Sequence, residues 1–337
     1  MPSSAHAATP SASASLETLR RLVELDMARV NQLITQNVKS DITLISDLAT
    51  HIVAAGGKRI RPSLTLAAAA LCGYTGDRHI RLAACVEFIH TATLLHDDVV
   101  DASALRRGEA TANALWGNKS SVLVGDFLLS RAFQLMVADG TIDVLTILSN
   151  AAATISAGEV QQLMVSHDLG ISESVYLEVI GAKTAALFAA ASELGAVVAD
   201  KPQQRESLRQ FGYALGMAFQ LIDDALDYQA QEKDLGKAIG DDFRDGKVTL
   251  PVMIAYREGN AEARAFWEKC LADSSALCAA DLQRAQQLIH ASSGLDYTHQ
   301  LAVRYGRQAQ AALVEFPPCL AREALAETVE FCIERRY

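Results

Sequence analysis

Phe88–Gly108, FIHTATLLHDDVVDASALRRG, carries an apolar stretch directly into Asp97, Asp98 and Asp101 and then into Arg106 and Arg107. On one helix over 79–101, Asp97 and Asp101 stand a turn apart, about 6 Å along the axis and on nearly the same face. Like charges at that spacing repel by a few tenths of a kcal/mol, and acids at a helix C-terminal end oppose its dipole. Stability alone does not select such a pattern. A divalent cation reverses the balance, because hard carboxylate oxygens from successive turns suit Mg²⁺ when a substrate phosphate supplies further oxygens. The alternative, a solvated acidic end of a surface helix, is weakened by the small or apolar residues Thr91–Leu95 just before it.

A second copy strengthens the metal reading. Phe219–Asp227, FQLIDDALD, repeats the apolar lead-in and places Asp223, Asp224 and Asp227 at the same spacing. The simplest geometry sets the two helices face to face across a cavity, with two or three Mg²⁺ ions between them.

Half of the 337 residues are hydrophobic, while aromatics make up only 6% and there are seven prolines. Alanine and leucine carry much of that apolar share, which favours close helix packing over stacked sheets. No alternating strand pattern is evident, so the expected fold is all-α, a helical bundle around a central cavity. No linker divides it: residues 16–337 are expected as one domain, preceded by a disordered Ser/Ala/Pro-rich tail over 1–15.

The net charge of −10 excludes general nucleic-acid binding, which needs a basic footprint. An anionic substrate then requires local cations or metals. The six cysteines form no CxxC pair and have no zinc spacing, so they are expected as reduced, small hydrophobes. No run approaches 18 consecutive apolar residues and the first residues lack a signal-peptide core. A cytoplasmic protein without a transmembrane segment is expected.

Along the chain, 16–36 has helical apolar spacing with Ser15 as cap, and Asp41 is expected to cap a second helix ending at Gly56-Gly57. Lys58, Arg59 and Arg61 follow, with Pro62 in the first turn of the next helix. Glycines that bend closely, with cations beside free helix N–H groups, make either a diphosphate cradle or an ordinary basic loop. His90, two turns before Asp97, either satisfies a core carbonyl or reaches the chamber. Arg106 and Arg107 offer forks for diphosphate oxygens or balance the nearby aspartates.

Glu159, Gln161 and Gln162 cluster near the end of a helix over 141–168. Lys183-Thr184, inside a helix over 172–198, either snorkels outward or turns into a polar cavity. Gly212 and Gly216 let the 203–230 helix pack closely before it delivers the second acid cluster. Residues 231–250 form a polar segment, either a lid or a connector, with Lys237 and Lys247 as phosphate contacts and Asp241-Asp242 as outer carboxylates. The terminal Arg335-Arg336-Tyr337 either frays or reaches back to the basic side of the site.

Two triple-aspartate helix ends, several cations and an apolar interior point to a substrate with a diphosphate head and a hydrocarbon body. No nucleophile triad or dinucleotide loop competes with that reading. LLHDDVVDASALRRG resembles the first aspartate-rich motif of the trans-prenyl diphosphate synthases. FQLIDDALD resembles the second, and GGKRIRP, GAKTAAL and GDDFRDGKVTLP resemble their other signatures, in the family's order.

The resemblance covers about residues 17–337. It implies a helical bundle, usually homodimeric, that condenses isopentenyl diphosphate head-to-tail onto an allylic diphosphate such as farnesyl or geranyl diphosphate. It assigns Mg²⁺ to Asp97, Asp101, Asp223 and Asp227, with Asp98 and Asp224 in support. It assigns isopentenyl diphosphate to Lys58, Arg61, His90 and Arg107, and the allylic diphosphate to Arg106, Lys183, Gln220, Lys237 and Lys247. Thr184 and Gln220 would stabilise the developing cation and guide proton loss.

The tail should grow along the helix from Asp97 toward its start, meeting Thr93 and Ala92 first. Short-chain members carry bulky aromatics at this level, and here that floor is missing. The next turn offers Phe88 and Ile89, with the helix around Leu123 and Phe127 deeper still. A product of about eight to ten isoprene units is expected, since VEFIHTATLLHDDVVD resembles the octaprenyl, solanesyl and decaprenyl synthases whose products become quinone side chains. Ala92→Phe should then shorten the product. The alternatives are a geranylgeranyl- or farnesyl-type enzyme and a noncatalytic subunit, though the latter typically loses acids that are retained here. A peripheral membrane contact for product release accompanies the long-chain reading.

Overall fold

A computed structural model of the chain describes residues 12–54, 57–106, 108–229, 240–272 and 277–335. Helix α1 (Ala12–Asn37) begins ahead of Ser15, so the helix reaches into the stretch expected as tail. It is followed by α2 (Thr43–Ala54), α3 (Ile60–Leu71) and α4 (Arg78–Val100). A two-residue hairpin pairs Leu105–Arg106 with Glu109–Ala110, the only strand pairing among the described residues. Then come α5 (Ala112–Trp116), α6 (Asn118–Asp139), α7 (Ile142–Val165) and α8 (Glu173–Ile180).

The expected single helix over 172–198 is interrupted. Gly181–Ala185, the GAKTA stretch, winds as a π-helical turn between α8 and α9 (Ala186–Val198). Such turns recur at functional sites because they reorient side chains within an otherwise regular helix. Helix α10 (Pro202–Gln229) ends in the second acid cluster, and shorter helices occupy 241–244, 250–258, 261–272, 279–291, 294–312 and 320–334.

Helix α3 is buried on almost every face, including Pro62, Leu64, Ala67 and Ala68. It anchors the largest apolar cluster, which also draws on α1, α4, α9, α10 and the 320–334 helix. Two smaller clusters lie toward the C-terminal half, around Trp267 and around Leu221. Helix α10 threads all three, through Phe211 and Leu215, then Leu221 and Ile222, then Ala225 and Tyr228. Its acidic end is therefore fixed by packing on several sides.

Two helical runs, Asn118–Asp139 and Glu173–Val198, are long and apolar enough to cross a membrane by length and composition. Among the described residues these are the two that pass that test, which core helices of a folded bundle also pass. The second run is mostly buried within the fold. The first packs one face against α4, where the Cys85 thiol donates to the Ala132 carbonyl at 3.0 Å and Ser121 Oγ donates to the Leu95 carbonyl at 3.0 Å. Its other face exposes Leu123, Phe133 and Val137.

The α9–α10 contact needs glycine. A Cβ on Gly212 would stand 2.2 Å from the Phe188 carbonyl oxygen, and one on Gly195 would stand 2.5 Å from the Ala68 carbonyl carbon on α3. Gly212→Ala must push two backbones apart, and is expected to lower unfolding free energy by about 2 kcal/mol or more. Urea denaturation checks this; a midpoint unchanged from the parent would mean that α9 and α10 are not held at this separation.

Candidate active site

The ends of α4 and α10 face each other across a cavity of about 650 Å³, within the roughly 300–1,000 Å³ of ordinary ligand sites. Asp97 and Asp101 line one wall and Asp223 and Asp224 the other, with Lys58, Arg61, His90, Arg106, Lys183, Thr184, Gln220 and Lys247 between them. Arg107 and Lys237 lie outside the described residues.

Two of the six motif aspartates do not face this cavity. Asp98 is rotated about 100° around α4 from Asp97 and is buried, accepting from Arg106 Nε and Nη2 at 2.8 Å each. It borders a smaller cavity behind α4, alongside Glu87, Arg59 and Arg106. Asp227 lies a turn past Asp223 and fastens the returning chain instead: its carboxylate accepts from the Asp242 N–H at 3.3 Å and its carbonyl from the Gly240 N–H at 3.1 Å. The i, i+1, i+4 spacing could not separate a cavity-facing acid from one used to brace the wall.

On the α10 side, Asp224 is buried and accepts from Tyr176 Oη at 2.6 Å and from Gln220 Nε2 at 2.7 Å. Gln220 Oε1 in turn accepts from Thr184 at 2.7 Å. This chain of bonds fixes the amide and hydroxyl at the cavity wall. Burial, with Asp242 nearby, pushes the Asp224 carboxyl up to about 8. Asp223 pairs with Arg335 at 3.0 Å, and that guanidinium stacks on Phe219 at 4.0 Å. The C-terminal arginine therefore reaches back to the site.

The cations are placed by specific partners. Arg61 Nη1 lies 3.1 Å from His90 Nε2 and its guanidinium covers Phe188 at 4.6 Å. The Lys58 ammonium stands over Phe331 at 5.0 Å; burial and the nearby Arg335 lower it below the usual lysine range. Between them Arg59 takes a left-handed backbone, φ 48°, at the start of α3, and forms an ion pair with Glu87. Neither the strain nor the pairing was visible in GGKRIRP. Lys247 bridges Asp101 and Asp245 at 2.9 Å each, with Asp242 at 3.8 Å. Burial works against its charge, but these three carboxylates outweigh it and raise the ammonium above its ordinary range.

Of the expected tail-path residues, Thr93 lines the cavity. Ala92, Phe88 and Ile89 do not; all three are buried in the main apolar cluster. Ala92 lies two turns after Cys85, whose thiol meets α6, so it shares the face pressed between helices. Leu123 is 67% exposed on α6.

A model of the family described as "Polyprenyl synthetase" matches residues 42–289. The chain belongs to the polyprenyl synthetase family. The octaprenyl diphosphate synthase of Escherichia coli K12 is 44% identical over 321 residues, covering 95% of this chain and 99% of that protein. A polyprenyl synthase of Caulobacter crescentus CB15, solved with calcium and isoprenyl diphosphate, superposes with a TM-score of 0.93 at 53% identity, covering 96% of this chain and 98% of that one. A decaprenyl diphosphate synthase from Rhodobacter capsulatus gives 0.89 at 45% identity, covering 96% and 99%. This polyprenyl synthetase is thus an enzyme, a trans-prenyltransferase of the group that makes polyprenyl diphosphates, on the all-α isoprenoid synthase bundle.

Divalent cations fit the donor set. The cavity-facing oxygens are hard carboxylates on facing walls. That arrangement matches an ion such as Mg²⁺, which completes its shell with water and substrate phosphate oxygens. Burial is the main cause of the rise of Asp97 to about 7; Lys183 opposes it, while Glu159 and Asp101 add to it.

The folded Asp97 carboxyl keeps its proton to about 7 whereas the unfolded one releases it near 3.8. Folding therefore takes up a proton between those values, and stability falls as pH rises through that window. Without divalent cation, Asp97→Asn is expected to melt roughly 3 °C or more above the parent at pH 8, with the gap closing toward pH 4. Calorimetry at both pH values decides it; a gap equal at both would mean that burial of a charge at Asp97 is not the cause.

Proposed function

We propose that this enzyme is a long-chain all-trans polyprenyl diphosphate synthase. It would condense isopentenyl diphosphate head-to-tail onto an allylic diphosphate such as farnesyl or geranyl diphosphate, giving about C40–C50 products for quinone side chains. One observation carries the reading: two pairs of carboxylates face each other across a cavity whose walls supply separate sets of cations.

Mg²⁺ held by Asp97, Asp101, Asp223 and Asp224 would neutralise the allylic diphosphate and make it a leaving group. Lys183, Lys247 and Arg106 would bind that diphosphate, with Asp98 holding the Arg106 fork and Asp227 holding the 240–249 segment that carries Lys247. Lys58, Arg61 and His90 would seat isopentenyl diphosphate on the opposite side. The fixed Thr184–Gln220 pair presents oxygen dipoles to the allylic cation as it develops, where preorganised groups act without reorganisation. The departing diphosphate would then take the proton lost from the new chain.

Thr93 at the cavity wall supports a long product, since a small side chain stands where a bulky one would form a floor. The similarity to octaprenyl and decaprenyl synthases supports the same range. The exposed Leu123, Phe133 and Val137 of α6, with Val160, Leu163 and Met164 of α7, support a homodimer through these helices. The reading places residues 16–337 in one domain, in the cytoplasm, with a peripheral membrane contact at product release.

Incubation with Mg²⁺, farnesyl diphosphate and labelled isopentenyl diphosphate should give products of eight to ten units by mass analysis, and Thr93→Phe should shorten them. A parent product of three or four units would favour a geranylgeranyl-type enzyme, and no incorporation would favour a noncatalytic subunit. In sedimentation, the parent should run as a dimer and Leu163→Glu as a monomer; a parent monomer would reject the α6–α7 interface.

A further inference from the structure

Glu159 on α7 has no part in the roles described above, yet it borders the cavity. Its neighbour Gly158 explains why it can. A Cβ there would stand 2.8 Å from Ala182 Cβ and 3.1 Å from the Lys183 backbone nitrogen, so α7 and the π turn touch at this point. Glu159 Oε2 thereby accepts from Lys183 Nζ at 2.8 Å, while Asp97 Oδ2 is 4.0 Å from the same ammonium. All three side chains are a quarter exposed or less. The second oxygen, Oε1, is buried without a hydrogen-bond partner among the described residues.

A lysine carries a point charge on four rotatable carbons, and beside two carboxylates it settles on the one that holds it better. With Glu159 absent, Asp97 is the next carboxylate within reach. The ammonium would then neutralise an oxygen donor that a divalent cation needs. We propose that Glu159 is a positioning residue that holds the Lys183 ammonium off Asp97, leaving Asp97 open to a cation and Lys183 directed at the allylic diphosphate. This rests on the reading of Lys183 as a diphosphate donor and of Asp97 as a metal ligand.

The test uses the full chain with inorganic diphosphate and Mg²⁺ in titration calorimetry, together with KM for farnesyl and isopentenyl diphosphates. Glu159→Ala should weaken Mg-diphosphate binding about tenfold, equivalent to ~1.4 kcal/mol, and raise KM for the allylic substrate similarly. KM for isopentenyl diphosphate should stay within about twofold, a split that general loosening of the fold would not produce. Glu159→Gln keeps the shape but not the charge and should lose about fivefold, so it carries the test if the alanine variant does not fold.

In a Lys183→Met background, Glu159→Ala should add nothing, because the two residues act as one unit. Wild-type binding by both Glu159 variants, equal rises in both KM values, or an undiminished effect in the Lys183→Met background would overturn the inference. Lys183→Met binding diphosphate as the parent does would instead overturn the role of Lys183 on which it rests.

Discussion

Carboxylates held close together out of water are the constraint around which this protein is built. Asp97 and Asp224 are both pushed far above the ordinary range, chiefly by burial. The fold accepts this because cations sit among the acids: Lys183 beside Asp97 and Glu159, Lys247 beside Asp101, Asp242 and Asp245, Arg335 on Asp223. Lys58, Arg61 and Arg106 add further positive charge around the same cavity. A cluster arranged this way is poised for a ligand that brings both divalent cations and phosphate oxygens, since either alone would leave charge uncompensated in a low-dielectric site.

Such a cluster needs rigid walls, and backbone proximity provides them. Gly195 and Gly212 bring α9 against α3 and α10 to within distances that no Cβ would allow. Helix α10 is gripped by three apolar clusters along its length. The π turn then brings Lys183 and Thr184 to the cavity together, where Glu159 and Gln220 hold them. A strained left-handed Arg59 is retained at the start of α3 where its guanidinium pairs with the buried Glu87. A strained backbone residue, Arg59, and the π turn thus both stand at the wall of this cavity.

Much of this was legible because chemistry at short range leaves local patterns. The repeated DDxxD spacing on apolar lead-ins implied two facing helices, and the composition implied an all-α fold. Legibility stopped where direction mattered. Asp98 and Asp227 sit inside the motifs yet brace Arg106 and the 240–242 backbone, because adjacent helical positions point about 100° apart and the neighbouring elements decide which direction is the cavity. Of the four residues read as a tail path, Thr93 lines the cavity and Ala92 packs in the apolar core, a division set by which helix face meets which neighbour.

By itself, the sequence determined the helical class, the two acid clusters, the sets of cations and the family's chemistry, because each depends on residue type at fixed spacing along one element. The tertiary structure alone decided which four aspartates share the cavity, that Lys183 belongs first to Glu159, and that Arg335 returns from the far end to Asp223. Those pairings join residues up to 112 positions apart. They follow from how helix faces rotate and pack against one another, and spacing along a single helix holds no record of the neighbour it will meet.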